Sequence, residues 1–263
     1  VTLPGTVETA RTEGDLMVAS HPVLVIVPTY DERESIAATI DAVLRSSEAD
    51  VLVVDDASPD GTAEVVRALT GDRVHLLERF GERGLGAAYV AGFRWGLDRG
   101  YRILVEMDAD GSHPADRLRA LIDEVRSGRA DLAIGSRWVA GGSVVDWPRR
   151  REALSRLANL YTRWALGLRV RDVTAGFRAF SAELLRRFDL ADVTSRGYCF
   201  QIDMTVRARD LNARIVELPI EFRDRRLGSS KMNADIIVEA MRDVTWWGLR
   251  RFADRVLGRG SGA

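Results

Sequence analysis

A chain of 263 residues with 46% hydrophobic and 29% charged residues and a net charge of −1 has the balance of an ordinary globular protein, long enough for one large domain or two small ones. The near-zero charge gives no bulk reason to bind nucleic acid, so any phosphate site must be local. The single cysteine, Cys199, excludes an internal disulfide and suits a reducing compartment, and no window reaches the roughly 18 consecutive apolar residues of a membrane span.

Residues 1–20 carry neither a basic n-region nor an apolar h-region and read as a loose tail rather than a signal peptide. VLVIV (23–27) is a buried strand, and DERESIAATIDAVLRSS (31–47) puts Ile36, Ile40, Val43 and Leu44 on one helical face. VLVV (51–54) is a second strand, closed by DDASPDGT, whose Pro-Asp-Gly marks a turn. A helix over about 62–69, a strand at 74–77, a glycine-rich lead into a helix (81–100) and a strand at 102–107 follow. The next helix, 114–128, tolerates Pro114 in its first turn, and DLAIGSRW (131–138) is a fifth strand. Strands of unbroken Val, Ile and Leu alternating with helices argue for a parallel sheet covered on both faces, with ligands beyond the carboxyl ends of its strands. PTYDE (28–32), DDASPDG (55–61) and DADGSHP (108–114) all stand at such ends, so three acidic loops converge on one crevice.

The second half is less regular. RRREALSRLANLYTRWALG (149–167) is a basic amphipathic helix, 173–188 a short strand feeding a helix, and 214–222 a strand that Pro219 assigns to a sheet edge. A basic loop (223–233) leads into a last helix over 234–257. There Ile237, Ala240, Met241, Val244 and Trp247 share a face with Phe252 near it, while Arg242, Arg250, Arg251 and Arg255 crowd the rest. Such a helix either packs on its own domain or lies in a bilayer interface.

Asp108 and Asp110 are hard oxygen ligands at the end of a buried strand, which suits Mg²⁺ or Mn²⁺ shared with phosphates. His113 reads as a supporting residue, because softer metal sites recruit more His or Cys. Of 38 basic residues only Lys231 is a lysine, a hint that a compact ammonium is wanted there.

VIVPTYDE (25–32), VVDDASPDGT (53–62), DADGSHP and GSRW, in this order and spacing, resemble glycosyltransferase family 2, and within it the polyprenol-phosphate mannose synthases. The resemblance runs from about Val23 to the last helix. It implies a GT-A fold, an α/β architecture with a Rossmann-like, mostly parallel sheet, as one catalytic domain (21–233) whose nucleotide half ends near 138 and whose acceptor half covers 139–233. It implies GDP-mannose as donor, a polyprenyl monophosphate as acceptor and Mg²⁺ or Mn²⁺ as cofactor. Residue by residue, Pro28, Tyr30 and Glu32 would lie near the nucleoside, and Asp55 and Asp56 would contact base or ribose. Asp108 and Asp110 would hold the metal with Ser112, which stands where many relatives carry a glutamine. Arg137, Arg151, Ser155, Arg225 and Lys231 would hold the acceptor phosphate, with Asp110, Arg137, Arg225 and Lys231 acting in the transfer itself.

Both halves are chemically necessary. A sugar diphosphate and a phosphate of roughly −1.5 to −2 charge repel each other, so arginines and a lysine must supplement the metal. An ionised phosphate is already a nucleophile, which accounts for the lack of a strong general-base candidate. A polyprenyl acceptor stays in the bilayer, which implies a peripheral protein on the cytoplasmic face of the membrane, docked by its own surface or by an integral-membrane partner. Rival readings are the same reaction with UDP-glucose, and a non-catalytic nucleotide-sugar or lipid-binding module. A nucleotidyltransferase would be expected to carry a glycine-rich, lysine-bearing phosphate loop near the first strand, which VPTYDERES is not. A dinucleotide dehydrogenase would need G-x-G-x-x-G there.

Overall fold

The computed structural model describes residues 22–81, 83–193, 198–224, 242 and 244–249. Arg225, Lys231 and most of the 234–257 helix lie outside the described residues.

The five strands expected from the first half are present as β1 (Val23–Thr29), β2 (Asp50–Asp55), β3 (Val74–Glu78), β4 (Ile103–Glu106) and β5 (Leu132–Ser136). Between them lie α1 (Ile36–Ser46), α2 (Thr62–Arg67), α3 (Leu85–Asp98) and α4 (Leu118–Arg126), the last preceded by a 3-10 turn, Ala115–Arg117. Helix α1 starts five residues later than the periodicity predicts because its would-be first amides are used elsewhere. The N–H groups of Asp31, Glu32 and Arg33 donate to Ser58 Oγ, Thr62 Oγ1 and Asp60 Oδ2, which fastens the β1 loop to the β2 loop. Asp31 takes φ 58°, a left-handed conformation that aspartate tolerates better than most residues.

The remaining elements are β6 (Ser143–Val145), α5 (Arg149–Leu166), β7 (Arg178–Ser181), α6 (Ala182–Arg187), α7 (Tyr198–Asp210), β8 (Ile215–Pro219) and β9 (Glu221–Arg223). The seven-stranded sheet runs β3-β2-β1-β4-β7-β5-β8, and β6 pairs with β9 in a separate ribbon. All pairs are parallel except those of β7, which runs antiparallel to both β4 and β5. The sheet is therefore mostly parallel, with one reversed strand near its middle. Pro219 does end an edge strand, as its missing N–H requires.

Alternate residues of β1 serve opposite faces. Leu24 and Ile26 join a core layer with α3, α6 and α7, while Val23, Val25 and Val27 join the layer under α1 and α4. Helix α3 lies unusually close to the sheet: a Cβ at Gly92 would stand 2.5 Å from Ile26 Cγ2, and one at Gly96 would stand 2.7 Å from Leu104 Cδ2. These glycines let α3 bring its N-terminus down to the strand ends where the site forms.

The apolar face predicted for the last helix is a buried one where it is described. Val244 is buried and Trp247 packs against the α3-side core, so these two support the fold; Trp246 and Leu249 point outward. Thr245 meets the Tyr161 hydroxyl of α5 at 2.7 Å, and Gly248 lies against Ala165.

Candidate active site

The loops after β1, β2, β4 and β5 open onto one cleft of about 560 Å³. Pro28, Tyr30, Glu32, Asp56, Asp108, Asp110, Arg137 and Arg151 all line it, together with Arg83, His113, Trp147, Gln201 and Phe222. Eight of the residues singled out by sequence thus converge from segments far apart in the chain.

On the β1–β2 side, Asp56 organises rather than dangles. Its Oδ1 accepts from Arg79 at 2.5 Å and its Oδ2 from the Gly84 N–H at 2.9 Å, tying the lead into α3 to the end of β2. Gly84, with φ 156°, sits where few side chains could follow. Arg83 next to it donates to the Tyr30 hydroxyl at 2.6 Å and lies 4.4 Å over the Tyr30 ring. Asp55 is not brought to the cleft. It is fully buried, and its carboxylate accepts from Thr29 Oγ1, Ser58 Oγ and the Ser58 N–H, which is turn chemistry.

At the end of β4 the side chain of Asp108 is about one-third exposed (32%), whereas Asp110 is nearly buried. Asp110 Oδ1 accepts from the Ser112 N–H at 3.0 Å, an Asx turn completed by Gly111 at φ 72°. Asp108 donates its backbone N–H to His113 Nδ1 at 3.0 Å. With Nδ1 used as the acceptor, a neutral imidazole carries its proton on Nε2, 3.7 Å from Asp108 Oδ2. The ring stacks on Phe177, which fixes the loop. Ser112 is buried, does not line the cleft, and its Oγ has no partner among the described residues.

These residues fit a small, hard cation. Both carboxylates face the cleft. Gly176 lies beside this loop, where a Cβ would make ordinary contacts, 3.5 Å from His113 Cε1 and 3.8 Å from Asp108 Oδ1. No group of three or more His, Cys, Asp or Glu stands close enough to hold a metal among the described residues.

Beneath this loop lies a buried polar network that sequence reading missed. Burial pushes the Glu106 carboxyl up to about 8, against the pull of Arg178 and a 2.8 Å hydrogen bond from Gln201 Nε2. Arg178, its antiparallel register partner, is fully buried; burial lowers its guanidinium to about 10, countered chiefly by Glu106. It donates to the carbonyls of Ala175, Val173 and Gln201 and to Thr205 Oγ1. Tyr89, held well above its ordinary value by burial and by the charges of Asp108 and Glu106, keeps its proton and donates it to Asp108 Oδ1 at 3.3 Å.

Arg137 and Arg151 line the same cleft. The Arg137 fork is bidentate on Asp172, at 2.7 and 2.6 Å, and also reaches Thr174 Oγ1. Its guanidinium lies within 5.5 Å of the Trp138, Trp147 and Phe222 ring centres. Arg151 stacks 4.0 Å over Trp147 and pairs with Asp224 at 2.7 Å. Ser155 lies one turn further along α5, outside the cleft, and its carbonyl accepts from Asn159. Asp172 carried a readable signal, an acid inside the arginine-rich RVRDVTAGFR, but nothing local says which arginine it holds.

A helix-covered, mostly parallel sheet with an Asp-x-Asp loop closing a central strand over a polar cleft defines a GT-A glycosyltransferase. The fold is shared with glucosyl-3-phosphoglycerate synthase of Mycobacterium tuberculosis, solved with Mn²⁺, UDP-glucose and phosphoglyceric acid (TM-score 0.64, 19% identity, 90% of this chain and 83% of that chain). Residues 24–193 match the family described as Glycosyl transferase family 2, and the chain belongs to that family. It is similar to polyprenol monophosphomannose synthase of Mycolicibacterium smegmatis (52% identity, 89% of this chain, 90% of the relative). It is likewise similar to undecaprenyl-phosphate mannosyltransferase of Micrococcus luteus (54% identity, 86% and 94%).

Proposed function

We propose that this glycosyltransferase moves mannose from GDP-mannose to a polyprenyl monophosphate at the cytoplasmic face of the membrane, supplying polyprenol-phosphate-mannose for lipoglycan or protein mannosylation. The observation that carries the reading is a single cleft lined both by the acids Asp56, Asp108 and Asp110 and by Arg137 and Arg151, which Asp172 and Asp224 hold in place. The two mannosyltransferase relatives, each above 50% identity over most of both chains, support the sugar and the lipid.

In this reading Pro28, Tyr30, Glu32 and Asp56 border the nucleoside, and Asp55 holds their loop from behind. Asp108 and Asp110, with Ser112 in the same loop, would hold Mg²⁺ or Mn²⁺, which would supply Lewis-acid stabilisation of the departing diphosphate. An acceptor phosphate oxygen forms a bond to the anomeric carbon as the bond from that carbon to the diphosphate oxygen breaks, inverting the centre and releasing GDP. No proton need be removed, because the phosphate arrives ionised. Arg137 and Arg151, with Arg225 and Lys231, offset the repulsion between the anions, and Ser155 lies along the same helix as Arg151.

Incubation of the protein with membranes and labelled GDP-mannose, UDP-glucose or UDP-GlcNAc, followed by counting of lipid-extractable label, tests this directly. Label from GDP-mannose alone is the expected result; label from UDP-glucose instead would overturn the donor assignment.

Arg151→Ala separates acceptor binding from donor binding. Losing a charge-assisted contact costs roughly 1.5–3 kcal/mol, about tenfold to over a hundredfold in kcat/KM for the lipid acceptor. GDP-mannose affinity by calorimetry should stay close to that of the unaltered protein. Weaker donor binding with unchanged turnover at saturation would move Arg151 to the donor side.

A further inference from the structure

The two carboxylates at the end of β4 are not held alike. Asp110 Oδ1 accepts from the Ser112 N–H of its own loop. Asp108 is approached on both oxygens. Tyr89 of α3 donates its hydroxyl to Oδ1 at 3.3 Å, and His113 places Nε2 3.7 Å from Oδ2. The Asp108 backbone N–H occupies His113 Nδ1 at 3.0 Å, so the ring presents Nε2–H rather than a lone pair to the carboxylate. Asp108 still lines the cleft, while Tyr89 does not.

Neighbouring rings hold both donors. Tyr89 is fully buried, its ring stacked on Phe200 of α7 with centroids 5.8 Å apart and 9° between planes. His113 is buried between Phe177, stacked at 5.1 Å, and Phe222 of β9, edge-on at 5.9 Å. The backbone behind Tyr89 is seated as well, because Gly92 and Gly96 bring α3 against the sheet and Gly84 at its start is tied to Asp56. A carboxylate offers about four lone-pair sites, so one donor on each oxygen sets its plane and leaves the remaining sites to a ligand in the cleft. Such partners behind a ligating carboxylate orient it, and losing one typically costs about 10–100-fold in metal affinity.

We propose that Tyr89 and His113 are positioning residues that preset the Asp108 carboxylate, so that a divalent cation meets an ordered ligand before any diphosphate arrives. The proposal rests on the reading of Asp108 and Asp110 as the metal pair and deepens it. Tyr89 acts only through Asp108. It also joins the two acidic ends of the cleft, because the helix whose lead holds Asp56 through the Gly84 N–H holds Asp108 about 7.5 Å further along its axis.

The test uses the full chain and Mn²⁺ alone, with uptake read from the electron paramagnetic resonance signal of the free ion, so no turnover is involved. The unaltered protein should bind Mn²⁺. Tyr89→Phe keeps the ring and its stack on Phe200, deletes only the hydroxyl, and should weaken Mn²⁺ binding about tenfold. His113→Phe, which keeps a ring against Phe177 but has no Nε2–H, should weaken it likewise. The urea midpoint of Tyr89→Phe and its GDP affinity by metal-free calorimetry should match those of the unaltered protein, which separates a missing contact from a loosened fold. An unchanged Mn²⁺ affinity in Tyr89→Phe would overturn the proposal. So would undetectable Mn²⁺ uptake by the unaltered protein, or a loss of metal-free GDP affinity as large as the loss of Mn²⁺ affinity. Asp110→Asn tells the proposal apart from the reading beneath it. If that variant binds Mn²⁺ as the unaltered protein does, the metal pair is wrong and the proposal falls with it. If it loses Mn²⁺ while Tyr89→Phe does not, the positioning role alone is removed.

Discussion

Asp110→Asn is expected to abolish sugar transfer while the protein stays folded. The Asx turn survives, because an asparagine Oδ1 can still accept from the Ser112 N–H as Asp110 does at 3.0 Å. What disappears is one of only two carboxylate charges at the end of β4 that face the cleft. A cation with few protein ligands depends heavily on each of them. Loss of one preorganised charge at a reacting centre typically costs 10²–10³ in kcat, about 2.7–4 kcal/mol. Turnover measured across a Mn²⁺ titration should fall by that order at limiting metal and recover in part at high metal. Thermal unfolding of the metal-free protein should shift by no more than the effect of a neutral surface substitution, about 0.5 kcal/mol. Near-normal turnover at limiting metal would remove Asp110 from the metal site.

Arg178→Met should be the most damaging single substitution to stability. It keeps an unbranched apolar stem and deletes donors to three buried carbonyls and one hydroxyl. Leaving buried acceptors without their donor costs roughly 1–3 kcal/mol each, together a large share of the 5–15 kcal/mol that holds a typical domain folded. The pH dependence adds a second signature. With its folded value raised to about 8 against 4.5, Glu106 binds a proton in the native state that the unfolded chain has released. Its contribution to stability therefore falls as pH rises through that window, by about 1.4 kcal/mol per unit, and levels off above pH 8. Without the pull of Arg178 the native carboxyl titrates still higher, so the variant keeps losing stability where the unaltered protein does not. The gap between their unfolding free energies, from urea titrations, should widen from pH 7 to pH 9. A gap below about 1 kcal/mol, or one equal at both pH values, would mean the network contributes little.

The first half of the chain was legible because its strands are unbroken apolar runs and each acidic loop follows one directly. Position at a strand end was enough to gather Asp56, Asp108 and Asp110. The same logic overreached at Asp55, since sequence cannot tell which of two adjacent aspartates turns into the cleft; burial and three hydrogen bonds decide it. Helix α7 went unread because polar residues stand on its buried side as well as on the outer face of Asp203, Arg207 and Asp210. Phe200, Ile202, Met204 and Ala208 are buried alongside Gln201 and Thr205, which serve Arg178 rather than solvent. Arg137 looked like a cation awaiting a phosphate, and its bidentate partner Asp172 lies 35 residues away. The reversed strand β7 and the β6–β9 ribbon are pairings between distant segments, which local periodicity does not encode.

The reversed strand also dictates an order of assembly as the chain leaves the ribosome. Strands β1 to β4 hydrogen-bond to one another and can form a four-stranded sheet once about residue 106 has emerged. Strand β5 cannot follow, because its hydrogen-bonded neighbours are β7 and β8, made 40 to 80 residues later. It must wait until β7 slots in beside β4, and that same step delivers Asp172 to Arg137 and Gly176 to Asp108. The nascent chain thus carries Asp56, Asp108 and Asp110 before Phe177, Arg178 and Gln201, which steady the Asp108 loop from beside and beneath, have been made. A ribosome stalled shortly after β5 would hold the β1–β4 sheet with its aspartates, but with His113 lacking the Phe177 ring that fixes their loop.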